Sequence, residues 1–282
     1  MEPTSELVRW RPAGPLRPYI AWYSGYQEAG VAPRLHRGLP SPYLTLIVSL
    51  HEPLVMAAHA DQRIPPGRYD TLLGGLHTRP ALITHDGRQS GIQVNLSPLG
   101  ARALLGLPAG ELAGADFDAA DVVGPFAAEL RERVLEATGW AGRFTVLDRM
   151  LLARLGAASA PDEVERAWHR VLASAGAVPV ADLAREVGWS ERYLSRRFSV
   201  EIGLSPKTAA RVTRFDRARR ALLDAPDGTA LAAIAADHGY YDQAHFARDF
   251  GEFAGCTATR WLAEEFRNVQ DPGAAPPSDS AP

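Results

Sequence analysis

From Leu44 to Leu96 apolar and polar positions alternate in short runs: LTLIVSL (44–50), PLVMAAHA (53–60), YDTLLGGL (69–76), ALITHDG (81–87) and GIQVNL (91–96). Pro, Gly, His-Glu and Asp-Gln turns divide them. Short runs of this kind predict strands, and their roughly ten-residue spacing predicts a sandwich or small barrel. After Pro98 the period lengthens. Phe126, Leu130 and Val134 recur at i+4, as do Leu147, Leu151 and Leu155, so two amphipathic helices follow. The segment AASAP (157–161) marks a boundary, and from Asp162 to Arg267 the pattern is helix and turn. The end of the chain, DPGAAPPSDSAP (271–282), has too little apolar surface to bury and is expected to be disordered. The fold class expected is α+β: a strand-rich domain over 1–122, a helical connector or dimerisation segment over 123–160, an all-α domain over 161–267 and a tail over 268–282.

The helical half holds an internal repeat. In VADLAREVG, Val180, Leu183, Ala184, Val187 and Gly188 align with Leu231, Ile234, Ala235, His238 and Gly239 of LAAIAADHG, an offset of 51. Leu194, Phe198, Ile202 and Gly203 then match Phe246, Phe250, Ala254 and Gly255 with an offset of 52, so one residue is inserted in the second turn. Each copy reads as a short helix, a glycine turn and a second helix. Gly188 and Gly239 suit the left-handed residue that ends a helix, and Ser190 and Asp242 stand where an N-cap opens the next. That is the helix-turn-helix pattern, whose second helix commonly enters the major groove, although generic helical hairpins share much of it.

Between the copies, SPKTAARVTRFDRARRALLDA offers Ser205 as N-cap and Pro206 at the first helical position. Val212, Phe215 and Leu222 make one face; Arg211, Arg214, Arg217 and Arg220 step by three along another. From Ser205 to Leu223 a helix spans about 28 Å, close to the roughly 34 Å between successive major grooves. Charge changes the picture here. The chain carries a net charge of −3, yet residues 185–220 hold ten basic and four acidic side chains, a balance of +6. A basic stripe in a neutral protein is the footprint expected of a nucleic-acid contact.

At this point the residues carry a family resemblance. LAREVGWSERYLSRRF, GLSPKTA and IAADHGYYDQAHFARDF, spread between Val178 and Trp261, resemble the DNA-binding domain of AraC/XylS-type bacterial transcription regulators. The first 160 residues resemble the sensor halves of such regulators more loosely, through the strand series and GIQVNLSPLGARALLG. One departure is clear: GCTATRW (255–261) has Ala258 where the family has proline, and alanine still suits a helix start. The resemblance implies two helix-turn-helix units in 161–267 and a first reader that presents Arg192, Ser195, Arg196 and Ser199. It implies a second reader that presents Gln243, Ala244, Ala247 and Arg248. Arginine can donate two hydrogen bonds to guanine and glutamine can pair with adenine, so Arg192 and Arg196 are the strongest specificity candidates. Lys207, Arg211, Arg214 and Arg217 are expected on the DNA backbone. Asp237, Asp242, Asp249 and Glu252 make the second copy acidic, so the first copy and the helix between are expected to supply most affinity.

The partners expected are double-stranded promoter DNA, RNA polymerase, a small-molecule effector of unknown identity and a second copy of the chain. The aromatic cluster Trp10, Tyr19, Trp22, Tyr23 and Tyr26 is read first as core packing, with an effector pocket lined by Trp10, Tyr19, Trp22 and Tyr23 as the alternative role. His51, His59, His77 and His85 lie in or beside the strands without metal-ligand spacing, so no metal and no cofactor are expected. Cys256 is the single cysteine, which excludes an internal disulfide and a thiolate metal centre. No serine sits in a nucleophile-elbow context and no phosphate-binding loop appears, so no catalytic residue and no enzyme activity are expected. The N-terminus MEPTSELVRW lacks a signal-peptide core and no long apolar run occurs, so a cytoplasmic protein is expected. Two rival readings stay open: a constitutive DNA-binding protein whose first half is purely structural, and an enzyme-like barrel fused to a DNA-binding domain.

Overall fold

The structure, a computed structural model, describes residues 3–226 and 229–265; the expected disordered tail, 268–282, lies outside the described residues. The first half is built from β1 (Thr4–Trp10), β2 (Ile20–Ala29), β3 (Arg34–Gly38), β4 (Leu44–Ser49), β5 (Leu54–Ala58), β6 (Gly67–Tyr69), β7 (Thr71–Gly74), β8 (Ala81–His85), β9 (Arg88–Leu96) and β10 (Asp116–Asp118). They pair antiparallel into a six-stranded sheet, β1-β2-β9-β4-β7-β10, and a four-stranded sheet, β3-β8-β5-β6. The sheets share no ladder, so the sandwich form of the expectation is the one found, not a closed barrel.

Three strands precede the first alternating run. β1 is an edge strand, exposed along most of its length, and β2 is buried on both faces from Trp22 to Tyr26, so neither shows a polar and apolar alternation. The run 69–76 is two strands: the chain leaves the small sheet at Tyr69 and enters the large one at Thr71.

The faces of the large sheet differ. One sends Tyr23, Leu44, Leu46, Val48, Ile92 and Val94 into the main core, where they meet Leu130 and Val134 of α2 (Phe126–Glu136) and Phe144 and Leu147 of α3 (Gly139–Arg154). Trp10 and Tyr23 stack on Phe144 at centroid distances of 5.5 and 5.9 Å, and the Tyr23 hydroxyl donates to Asp148 at 2.9 Å. Burial, with the Asp148 carboxylate beside it, pushes the Tyr23 phenol far above its ordinary pKa. The other face presents Trp22, Thr45, Gln93 and Asn95 to the small sheet, with Trp22 directly opposite Asn95 and Asn95 opposite Thr45. α1 (Ala119–Val123) closes one end, opened by the Asp118 carboxylate accepting from the Ala120 amide.

Among the described residues seven helices follow: α4 (Asp162–Ala173), α5 (Val180–Val187), α6 (Glu191–Ile202), α7 (Pro206–Asp224), α8 (Leu231–Asp237), α9 (Gln243–Ala254) and α10 (Ala258–Glu265). The main core does not stop at AASAP. It runs on through Val164 and Trp168 of α4 and Leu194 and Phe198 of α6 to Ala210 of α7. A second core holds Val212 and Phe215 of α7, Phe246 and Phe250 of α9 and Trp261 of α10.

An ion pair bridges the sheet half and α6. Glu201, buried to 2% exposure, accepts two hydrogen bonds from Arg102 at 2.6 and 2.9 Å; Arg197 lies 3.7 Å away. Removing one partner of such a pair leaves a buried charge with too little compensation, which costs more than removing both. Arg102→Ala is therefore expected to lower unfolding stability by about 3 kcal/mol, and the Arg102→Ala, Glu201→Ala double variant by clearly less. Urea denaturation of the three chains checks this.

Candidate nucleic-acid interface

Both copies of the repeat fold as their local chemistry dictates. α5 ends at Gly188 with φ of 76°, and the turn before α9 contains Gly239 with φ of 73°, a region where a Cβ is costly. The Ser190 side chain accepts from the Tyr193 amide at 3.3 Å, and Asp242 from the His245 amide at 2.6 Å, each cap being worth about 1 kcal/mol. Leu194 and Phe198 of α6, and Phe246 and Phe250 of α9, are buried. With those positions inward, the rotation of each second helix is fixed. Arg192 and Arg196 are exposed and Ser195 and Ser199 half-buried, spaced to share one face of α6. On α9, Gln243, Ala244, Ala247 and Arg248 are all exposed.

Two aromatics that sequence reasoning passed over stand at these same ends. Tyr241, 94% exposed, lies in the turn just ahead of α9, and Tyr193, exposed on α6, packs edge-on against Trp189. Neither sits in a period that separates it from a core aromatic, so the sequence carried no signal for them.

The arginine ladder of α7 is largely committed within the protein. Arg211 donates to Asp249 at 2.7 Å and to Glu252 at 2.6 Å, with its guanidinium 4.9 Å from the Phe253 ring centroid. Arg214 donates to the Gly176 carbonyl at 2.9 Å and lies over Tyr240; Arg217, though exposed, donates to the Leu172 carbonyl at 2.8 Å. Lys207 is exposed at the start of the helix. α7 runs between the two units with helices packed along it, so long side chains from it reach the end of α4 on one side and α9 on the other. The acidity of the second unit changes in consequence. Asp249 is buried against Arg211, Glu252 is paired with the same guanidinium, and the Asp242 carboxylate caps its own helix.

The aromatic effector candidates do not share one face: Trp10 and Tyr23 meet at Phe144, and Trp22 does not join them. Strand alternation sends Tyr23 to the helices with Trp10, while Trp22 faces the small sheet; Tyr19 packs against the main core. Among the four residues, Trp22 alone lines a described cavity between the sheets. His59 is buried, with Nδ1 2.8 Å from Asp116 and Nε2 3.2 Å from the Tyr69 hydroxyl, and so ties the small sheet to the large one. Among the described residues no helix is long and apolar enough to cross a membrane.

Midway along α7, buried Asp216 contacts Arg219 at 2.8 Å and Arg220 at 3.0 Å. Burial alone would raise the pKa of Asp216, but Arg220 and Arg219 together outweigh it and hold the carboxyl below the ordinary range. A depressed carboxylate contributes stability that is present above its unfolded pKa of about 3.9 and is lost as pH falls through the lower folded value. Wild-type stability is thus expected to fall below about pH 4 more steeply than that of Asp216→Asn, which is less stable at pH 7. Thermal unfolding at pH 3 to 7 checks both statements.

The family comparison matches residues 183–264 to a helix-turn-helix domain model and residues 8–118 to a domain of unknown function, DUF6597. No curated protein matches the chain. Among solved structures it is similar to the C-terminal domain of AraT, a response regulator from Geobacillus stearothermophilus, with 23% identity over 38% of this chain and 88% of that one, at a TM-score of 0.35. It is also similar to an AraC-type regulator from Chromobacterium violaceum, with 22% identity over 38% of this chain and 94% of that one, at 0.34. ToxT from Vibrio cholerae O395 aligns over 93% of this chain and 97% of its own at 10% identity and a TM-score of 0.49.

Proposed function

We propose that the C-terminal helix-turn-helix domain is of the AraC type and that the chain is a transcription regulator that reads a specific sequence in double-stranded promoter DNA with α6 and, secondarily, with α9. The observation that carries the reading is the repeated capped helix whose core residues are fixed inward, leaving Arg192 and Arg196 outward on α6. A guanidinium on that face can donate two hydrogen bonds to guanine O6 and N7 in the major groove. α9 offers Gln243 and Arg248 with small alanines between, so its backbone can approach closely, but fewer of its side chains donate. The Asp249 and Glu252 charges, being paired with Arg211, oppose phosphate less than their count suggests. In this reading the strand-rich half senses a small molecule and biases how the readers are placed. Contacts with RNA polymerase and pairing of two copies belong to the same proposal.

Selection from a random duplex library on the purified chain tests it: enrichment of one motif is expected, and recovery of unenriched sequence overturns the reading. On the selected site Arg196→Ala is expected to cost about 1–3 kcal/mol, with much less loss on scrambled duplex.

The backbone contacts divide by their surroundings. Lys207→Ala is expected to lower the salt slope of binding by about one unit, as loss of a phosphate contact does. Arg211→Ala is expected to leave that slope unchanged and to lower the melting temperature, because its guanidinium is spent on Asp249 and Glu252. Salt titrations beside thermal melts of both variants separate the two roles.

A further inference from the structure

Between the two sheets lies a cavity of about 90 Å³, walled by Trp22, Gln93 and Asn95 of the large sheet, Arg37 of the small one, and Arg219 and Arg220 of α7. Trp22 and Asn95, each 4% exposed, are directly opposite each other on β2 and β9. Among the described residues neither Trp22 Nε1 nor Asn95 Nδ2 has a hydrogen-bond partner. Their orientation is held from behind. Gln93 donates to Asn95 Oδ1 at 3.0 Å, which turns the amide nitrogen away from that bond; the Trp22 ring has Tyr43 edge-on at 5.0 Å and Arg220 above it at 5.0 Å. Buried donors are paired in the great majority of cases, so two adjacent exceptions on one cavity wall ask for an acceptor.

Charge narrows what that acceptor is. Among the described residues three guanidiniums line the cavity and no carboxylate does. Asp216 lies behind Arg219 and Arg220, and Glu264 is 2.5 Å from Arg37, so carboxylates hold these guanidiniums from outside the lining while their N–H groups face a wall of donors.

We propose that this cavity binds a small planar oxyanion, of which a short-chain carboxylate is the simplest, with its oxygens accepting from Trp22 Nε1 and Asn95 Nδ2 and its charge met by Arg220. The volume admits a few heavy atoms and no long alkyl chain. The site sits at the joint between the strand-rich half and the second helix-turn-helix unit: Arg37 of β3 holds Glu264 of α10, Arg220 of α7 lies on Trp22 of β2, and Leu39 packs against the second core. An anion there tightens this joint and so biases how α9 is held. This last step rests on the proposed DNA-reading function, while the binding itself does not.

Calorimetry on the full chain without DNA provides the test, with acetate, pyruvate and nitrate as probes and acetamide as the uncharged match for acetate. At least one anion is expected to bind with a Kd of about 1 mM or tighter, with acetamide at least about tenfold weaker than acetate. Nitrate binding without acetate or pyruvate assigns the site to inorganic oxyanions; the reverse assigns it to carboxylates. Trp22→Phe keeps the ring and removes the N–H; Asn95→Asp replaces a donor with a like charge. Each is expected to weaken anion binding at least about tenfold while far-UV circular dichroism stays unchanged. The proposal is overturned if no probe binds by about 10 mM, if acetamide binds as well as acetate, or if both folded variants keep wild-type affinity. Should either variant fail to fold, the comparison of acetate with acetamide on the wild type still decides. A chain that binds anion but enriches no duplex overturns the DNA-reading proposal and leaves this site standing. Anion binding that leaves duplex affinity unchanged overturns the coupling alone.

Discussion

Alternation along β2, β9 and β4 sends Tyr23, Ile92, Val94, Leu46 and Val48 to the helices and Trp22, Gln93, Asn95 and Thr45 to the opposing sheet, and the rest of the molecule is arranged around that division. The main apolar core lies between the large sheet and the helices. The space between the sheets holds only a small satellite of apolar residues, Ile47, Leu54, Met56, Leu72, Ala81 and Ile83, beside its polar wall. A sandwich ordinarily buries its core between its sheets. Here helices α2 and α3 take over that work on the outer face of the large sheet, which leaves the inner face able to carry side chains chosen for chemistry.

The second dependence is on arginine. Guanidiniums join elements far apart in sequence: Arg102 meets Glu201, Arg37 meets Glu264, Arg211 meets Asp249 and Glu252, and Arg154 reaches the Leu104 carbonyl. Each planar fork can satisfy two acceptors at once, which suits bridging a buried carboxylate or a helix end where a point charge would leave one oxygen unmet. The +6 balance over residues 185–220 is therefore only partly a surface property. The share that faces outward on α6 is Arg192 and Arg196; much of the share on α7 is turned inward against the protein.

What the sequence made legible follows from the range of the interactions involved. The two helix-turn-helix units were readable because a glycine turn, an N-cap and two inward aromatic or aliphatic positions act within a dozen residues, and the copies repeat them. Strands β4 to β9 were readable in outline from alternation, but the switch of sheets at Asp70 was not, since a chain can change partners without changing its pattern. β2 hid because it is buried on both sides. Nearness in sequence made a shared pocket of Trp10, Tyr19, Trp22 and Tyr23 an alternative to core packing, yet neighbours in a strand point to opposite faces, and that alone separates Trp22 from Tyr23. The ladder on α7 was seen correctly as one helical face, while its partners, about 40 residues away in either direction, left no mark in any local period.

α7 makes the two observations one. Its first half, with Ala209 and Ala210, completes the core shared by the sheet, α4 and α6, and its second half, from Val212 through Leu222, builds the core of the second unit. A helix held by both cores cannot shift at one end without repacking at the other, because close-packed interiors change between discrete arrangements and do not yield gradually. Its C-terminal turns also carry Arg219 and Arg220, which close the space between the sheets. The first helix-turn-helix unit is tied to the sheet half by a continuous core and a buried ion pair, whereas the second reaches it through guanidinium contacts around a polar cavity. Of the two joints, the polar one is the easier for a ligand to bias, since binding there changes charge and hydrogen bonding without the cost of opening an apolar core.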